Sequence, residues 1–512
     1  MRRTIIAAPT ELAADAGATV ADDGGNAVDA AIAATIAAMC TEPGIVAPGA
    51  SGFLTVSPPD GDTVVVDAYA EMPGRNAPRH RRGVATREVH IAYGGGMRTV
   101  IGWGSIATPG AFAGFQLASD RYGAVPWKEL FGPTIAVLRE GFPISASAAA
   151  YLGYAHKAIF GWHPDSARAL HRPGGHPIGE GDILRIPELA DTLERIADGG
   201  ADEFYRGELA HEIAAAISAG GGLLSMEDLA AYEAIPRRPI ALDFDGWSVA
   251  TNPAPAVGGV ALGALLLLLR DPAFEGWTEA GCRRTAEVQR AVLEHRAHLL
   301  RLLPSGRQAI ADQVFEMARD GDLDALRRSP STVHTSTVDS EGLAAAVTVS
   351  AGYGSGAVVP GTGLWLNNSL GELELAPDGL PRLEPGARLA SNMAPTVARR
   401  ADGTVLAIGS PGAERITTAL ASVLLDFIHL GMSLTDAVQH PRLHVERFDG
   451  VPTIAYEPGL PVVPFDGLEA RRFPDLSMYF GGVQAALWDP IAGLYGAADP
   501  RRAGAVRRGG ID

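Results

Sequence analysis

The stretch Ser331-Thr332-Val333-His334-Thr335-Ser336-Thr337-Val338-Asp339 lies about two thirds of the way along a chain of 512 residues. By composition it reads as a polar loop leading into the strand Ala344-Ala345-Ala346-Val347-Thr348-Val349, with Gly342 marking the intervening turn. Its chemistry is less ordinary. A threonine hydroxyl is a weak nucleophile until a base takes its proton, and one economical base is the residue's own α-amino group. That amine exists only if the chain is cut between Ser331 and Thr332.

The segment resembles the start of the small subunit in the γ-glutamyltranspeptidase family, N-terminal-nucleophile hydrolases that cleave themselves. The family pattern there is Thr-Thr/Ser-His-x-Ser, then Val-Asp, a turn with Gly, and a strand; only Val333 departs from it. Working outward, Gly24-Gly25-Asn26-Ala27-Val28-Asp29-Ala30-Ala31 matches the turn that enters a buried alanine-rich helix in the family. Thr108-Pro109-Gly110-Ala111-Phe112-Ala113-Gly114 follows, then Asp228-Leu229, Tyr232 and Arg238-Pro239-Ile240, then Pro255 with Gly258-Gly259. In the last third, Gly361-Thr362-Gly363, Leu366-Asn367-Asn368, Met393-Ala394-Pro395-Thr396 and Gly409-Ser410-Pro411-Gly412-Ala413 keep family order. On this ordered set the chain is identified as a divergent member of the family.

Composition sets independent bounds. An apolar fraction of 47% with 20% charged residues indicates a sizeable core. The formal net charge of -17, without a clustered basic face, disfavours nucleic acid and anionic lipid as partners. Cys40 and Cys282, both in apolar helix-like contexts, read as buried free thiols and give neither a disulfide framework nor a zinc spacing. Met1-Arg2-Arg3 is followed by Pro9, Glu11 and Asp15 before a long apolar run can form, so a cytoplasmic protein is expected. The run Val260 to Leu269 is about half of what a bilayer needs.

Local patterning predicts Ala-rich helix from about 10 to 40, and a strand pair, Gly52 to Val56 and Thr63 to Asp67, around a Pro-Pro-Asp-Gly turn. It predicts a mainly helical middle from about 125 to 330. Further strands are expected at Ala344 to Val349 and Thr404 to Ile408, then a helix from Arg415 to Leu430. The Arg/Asp-rich stretch from Ala318 to Pro330 suits an exposed tail left by cleavage. The resemblance implies an α/β fold of four layers, αββα, with two central, mainly antiparallel sheets. It implies a large subunit 1–331 and a small catalytic subunit 332–512 that interleave in one structural domain, with a homodimer of the processed heterodimer as a candidate assembly.

The resemblance also assigns roles. Thr332 is the nucleophile and the cut falls between Ser331 and Thr332. Ser350 stands where the family has a supporting threonine. The backbone N–H groups of Gly412 and Ala413 form the oxyanion hole; the family has Gly-Gly, and alanine substitutes there if its backbone angles are ordinary. Ser391-Asn392 replaces a Ser-Ser pair and Glu372 replaces an Asp in holding the acyl group. Arg75 is the preferred carboxylate-binding arginine, with Arg79 in a competing register. No cofactor and no metal are expected, and the substrate class is a small amide or peptide-like molecule.

The glutamyl-binding shell departs further from the family than the catalytic core. The family's amide-bearing Asn aligns with Gly352 beside a gap, its Gln after Asn-Asn becomes Ser369, and the stretch from Asn368 to Ser391 leaves little room for a lid. The leading expectation is an autoprocessing amidohydrolase and acyltransferase that cleaves γ-glutamyl or similar amides through an acyl-enzyme. A specialised relative acting on another amide or on an activated C–C bond is the alternative, and an unprocessed scaffold of the same fold is the non-enzymatic one. Other classes lack their signatures: no Gly-x-Ser-x-Gly, no dinucleotide fingerprint around Gly94-Gly95-Gly96, and no acidic partner at ligand spacing in His440-Pro441-Arg442-Leu443-His444. With His334, these histidines read as capping or packing groups.

Overall fold

The computed structural model describes residues 2–78, 81–92, 96–270, 274–301, 332–376, 379–448 and 450–510. Ser331, Arg79 and the stretch from Ala318 to Pro330 lie outside the described residues.

Two antiparallel sheets form the centre. In chain order their strands are β1 (Thr4–Ala8), β2 (Ser51–Ser57), β3 (Val64–Ala68), β4 (Ile235–Arg237), β5 (Ile240–Phe244), β6 (Trp247–Thr251) and β7 (Val333–Asp339), followed by β8 (Ala344–Ser350), β9 (Thr396–Arg400), β10 (Val405–Gly409), β11 (Gln484–Asp489), β12 (Gly493–Ala498) and β13 (Ala505–Gly509). The first sheet has seven strands in the order β13-β1-β7-β8-β2-β3-β4, and the second has six in the order β12-β11-β10-β9-β6-β5. Each sheet mixes strands from before and after Thr332, so neither side of that position could complete a sheet by itself.

The segment expected as a polar loop is the strand β7, buried along its whole length. Threonine and valine are β-branched and suit a pleated surface, and the central position supplies partners on both edges. Its two faces do different work. Val333 joins the core beneath the helices and the Thr337 hydroxyl donates to Ala27 O at 2.6 Å. On the other face His334 lies against Gly409, Ser336 donates to Gln484 O at 3.0 Å, and Val338 packs with Val405, Ala407 and Ala486. Even-numbered residues therefore face the second sheet. The layer between the sheets includes Ala344, Ala346, Ala407 and Ala486, small enough to let the sheets approach.

Helices close both outer faces, completing αββα. The Ala-rich region forms two helices, α1 (Glu11–Asp22) and α2 (Ala27–Thr41), separated by Asp23 to Asn26. Every residue of α2 is buried, which alanine allows at close helix–sheet separation. Asn26 caps α2: its side chain accepts from Val28 N and Asp29 N while Asp29 reaches back to Asn26 N, a reciprocal capping box. Over the second sheet lie α3 (Gly258–Leu269) and α4 (Arg415–Leu424), the latter continuing into a π-helical turn at Leu425–His429. The middle is not only helical: β4, β5 and β6 come from it and build one edge of each sheet. Their short length, three to five residues each, hid them. No described helix is long and apolar enough to cross a membrane.

Candidate functional site

Thr332 is buried immediately before β7, and the alternation of that strand turns it toward the second sheet. Register fixes its neighbours. Val333 pairs with Val349, so one residue further Thr332 lies opposite Ser350; Ser350 pairs with Ser51, and Gly52 with Ala68, so Ser51 lies opposite Tyr69. Thr332, Ser350, Ser51 and Tyr69 thus form a row across four strands on the face between the sheets.

The second sheet brings a turn to the same place. Val338 shares a core with Val405 and Ala407, and His334 sits on Gly409, so the strands β7 and β10 run past each other in opposite directions. Continuing that progression carries Thr332 over the turn Ser410 to Ala413 that links β10 to α4. A Cβ at Gly409 would meet the His334 ring at 2.1 to 2.5 Å, which explains glycine at that position. The Ser410 hydroxyl accepts from Gly482 N at 3.1 Å and donates to Pro411 O at 2.6 Å, fixing the turn. Among the described contacts, neither Gly412 N–H nor Ala413 N–H donates a hydrogen bond, so both can serve an incoming oxyanion. Ala413 has φ +69°, in the left-handed region. The condition set for alanine here, an ordinary backbone, is not met; the turn keeps the conformation that glycine would adopt without cost.

His334 is not a base for this hydroxyl. Its Nδ1 and Nε2 are each 2.7 Å from a hydroxyl, Thr348 and Ser336, and burial pulls the imidazole down to about 3. It braces β7 and β8 as a neutral ring. His444 is likewise buried, bonded through Nδ1 to Thr418 at 3.1 Å, and His440 lies 3.2 Å from Asp426. No group of three potential ligands that could hold a metal ion occurs among the described residues.

Glu372, Ser391 and Asn392, expected on the acyl side, lie among a second set of buried polar groups. The Asn367 amide bridges Gly49 O and Ala107 O, and Asn368 bridges Thr99 and Val100 O while accepting from Tyr353 N at 2.7 Å. Both asparagines thus hold the wall that carries Glu372. A Cβ at Gly352, where φ is +63°, would fall 2.3 Å from Asn368 Oδ1 and 3.0 Å from the Glu372 carboxyl carbon. The longer Glu372 therefore fills space that a side chain at position 352 would need. Burial, then the neighbouring Glu374, raise the Glu372 carboxyl well above the usual range, and burial raises Glu374 to about 7 although Tyr353 donates to it. Ser391 accepts from Met393 N at 3.2 Å, and Asn392 lies beside it, also buried.

Arg75, expected as the carboxylate-binding arginine, is itself paired with two acidic groups. Arg75 Nη2 is 3.1 Å from Glu71 and Nη1 is 3.5 Å from Asp228, whose carboxylate also takes the Gly74 and Arg75 backbone N–H groups. Sequence reading missed Tyr69 instead. Its hydroxyl is hydrogen-bonded with Ser391 and it lies close enough to Glu372 for that carboxylate, after burial, to raise its pKa. The signal was present: two residues past the predicted strand Thr63 to Asp67, alternation places Tyr69 on the inward face with Asp67.

Comparison with known proteins agrees with this geometry. Residues 13–508 match the model of the family described as Gamma-glutamyltranspeptidase. The chain is 29% identical to the glutathione hydrolase proenzyme of Escherichia coli (strain K12), covering 98% of this chain and 90% of that one. It is 29% identical to the acylase ACY 1 proenzyme of Pseudomonas sp. (strain SE83), covering 95% and 90%. Among solved structures, the cephalosporin acylase from Bacillus halodurans superposes with a TM-score of 0.83 at 26% identity, over 99% of this chain and 96% of that one. With the family matched along nearly its whole length and the αββα layers in place, this chain belongs to the gamma-glutamyltranspeptidase family of N-terminal-nucleophile amide hydrolases and acyltransferases.

Proposed function

We propose that the chain cuts itself between Ser331 and Thr332 and that Thr332 then cleaves amides of small acyl groups through an acyl-enzyme. The reading is supported by the register of β7, which if continued sets Thr332 opposite Ser350, and by the facing turn, whose Gly412 and Ala413 N–H groups donate no hydrogen bond among the described contacts. In the precursor, Thr332 Oγ attacks the Ser331 carbonyl carbon; the peptide C–N bond breaks as an ester forms, and water hydrolyses the ester. The products are 1–331 and 332–512, held together by their shared sheets.

In the mature enzyme the Thr332 α-amine, with an ordinary pKa of about 7.7–8.0, takes the hydroxyl proton as Oγ attacks the substrate carbonyl. The oxyanion accepts from Gly412 and Ala413 N–H, and losing one such donor costs about 10²–10³ in rate. The ammonium protonates the departing amine. Water, or an acceptor amine, then attacks the Thr332 ester and regenerates the hydroxyl. Ser350 supports the nucleophile, while Glu372, Ser391 and Asn392 hold the acyl group. The relatives' names supply two precedents, glutathione and acylase substrates. The two buried free cysteines suit a reducing, cytoplasmic setting, to be tested by cell fractionation. A pair of processed units is the assembly to look for by light scattering.

Intact-mass spectrometry under denaturing conditions tests the core of the reading. Two fragments meeting between Ser331 and Thr332, replaced by one uncut and inactive chain in Thr332→Ala, are expected. A wild-type chain that stays whole would leave a non-enzymatic scaffold as the better reading.

A further inference from the structure

The row that begins at Thr332 ends at Tyr69, and what surrounds Tyr69 decides which acyl group can lie along it. The ring stacks on Phe53 with centroids 5.4 Å apart and an interplanar angle of 14°, so the phenol is held in one orientation. Its hydroxyl is hydrogen-bonded with Ser391, and Leu370, Leu389 and Met393 pack around it. Two buried polar atoms at this end, Glu372 Oε1 and Ser369 Oγ, have no hydrogen-bond partner.

Among the described residues, the nearby cations are already engaged. Arg75 is held by Glu71 and Asp228. Arg388 pairs with Asp67 at 3.2 Å and with Glu71, and donates to Glu233 O. Arg415 donates to Tyr479 O at 3.0 Å and lies 3.7 Å from Glu414. A substrate carboxylate beside Ser391 would give up its hydration for a phenol and a row of carboxyl groups, and a buried charge without a partner is costly. An ammonium or amide N–H in the same place would meet the open oxygen of Glu372.

We infer that Tyr69 is a specificity-determining residue, and that the preferred acyl group carries a hydrogen-bond donor, best an amine, toward Glu372 and no carboxylate beside Ser391. This rests on the acyl-enzyme reading above and narrows it. The geometry makes γ-glutamyl amides poor substrates of an otherwise competent enzyme.

Three p-nitroanilides separate the two groups: 4-aminobutyryl has the amine alone, glutaryl the carboxylate alone, and γ-glutamyl both. The expected order of kcat/KM places 4-aminobutyryl at least about tenfold above γ-glutamyl, the ratio that one charge-assisted contact supports. Tyr69→Arg, checked for self-cleavage and thermal midpoint, should shift that ratio toward γ-glutamyl by about tenfold or more. If that variant does not fold, Glu372→Gln replaces it and should lower the ratio of 4-aminobutyryl to glutaryl by about tenfold. Wild-type turnover of γ-glutamyl equal to or faster than 4-aminobutyryl overturns the inference, as does release from none of the three by a fully cleaved enzyme. Failure of self-cleavage overturns the reading beneath it.

Discussion

Single residues carry the strain of this site. Ala413 holds φ +69° without being glycine, a conformation that costs an L-residue about 1–2 kcal/mol. It persists because Gly412 on one side and the start of α4 on the other fix the turn. Replacing it by glycine removes the strain but adds freedom to the unfolded chain, which offsets part of the gain. Ala413→Gly in an uncut Thr332→Ala background should therefore raise stability by up to about 1 kcal/mol, read as a higher urea midpoint at unchanged slope. In the processing-competent chain it should leave self-cleavage intact, since the N–H group is kept. A lower midpoint would mean that the Cβ packs usefully enough to outweigh the strain.

At the scale of elements, β7 and α2 depend on one another. β7 supplies the Thr337 hydroxyl to Ala27 O at the start of α2, and Asp339 at its far end accepts from Ala27 N at 3.4 Å. The cap of α2 is therefore also a tertiary joint. Asn26 Nδ2 donates to Tyr122 O at 2.6 Å and Asp29 accepts from Ala124 N at 2.7 Å, tying a third helix, Ala111–Tyr122, to the same point. Asn26→Ala removes the cap and leaves buried N–H groups unmet, so a loss of about 1–2 kcal/mol is expected. Chemical denaturation of the uncut background measures it. A change below a few tenths would show that the Asp29 half of the box suffices. The cap was legible in Gly24-Gly25-Asn26-Ala27-Val28-Asp29, whereas its links to Tyr122 and Asp339 depend on contacts far apart in sequence.

For the whole molecule, the buried carboxyl groups set a pH dependence. Burial raises Glu42 to about 7, against a hydrogen bond from Ser145 at 3.0 Å and the charge of Arg502. The unfolded group titrates at about 4.3, so between that pH and about 7 the folded state binds more protons than the unfolded one. Stability from this group is complete below pH 4.3 and is lost as pH rises through 7, with a slope on the order of 1.4 kcal/mol per unit. Glu42→Gln keeps an acceptor for Ser145 without the charge. Its thermal midpoint in the uncut background should match wild type near pH 4 and exceed it increasingly up to pH 7. Equal midpoints across that range would show that Glu42 is ionised and paired in the fold.

The sequence by itself determined the family, the position of Thr332, the Gly409-Ser410-Pro411-Gly412-Ala413 turn and the long helices. These are local statements: a nucleophile needs its own hydroxyl, a tight turn needs small residues, and an all-apolar helix needs a core. Tertiary structure alone decided that the polar stretch after Thr332 is a central strand, because Thr337 finds partners on α2 and β8 and Ser336 on β11. It also decided the partners of Arg75 and Tyr69. Arg75 was the choice the family resemblance offered; in the fold Glu71 and Asp228 hold it, while Tyr69 reaches Ser391 through the register of four strands. Register couples residues hundreds of positions apart, and no local pattern records which strand lies next to which.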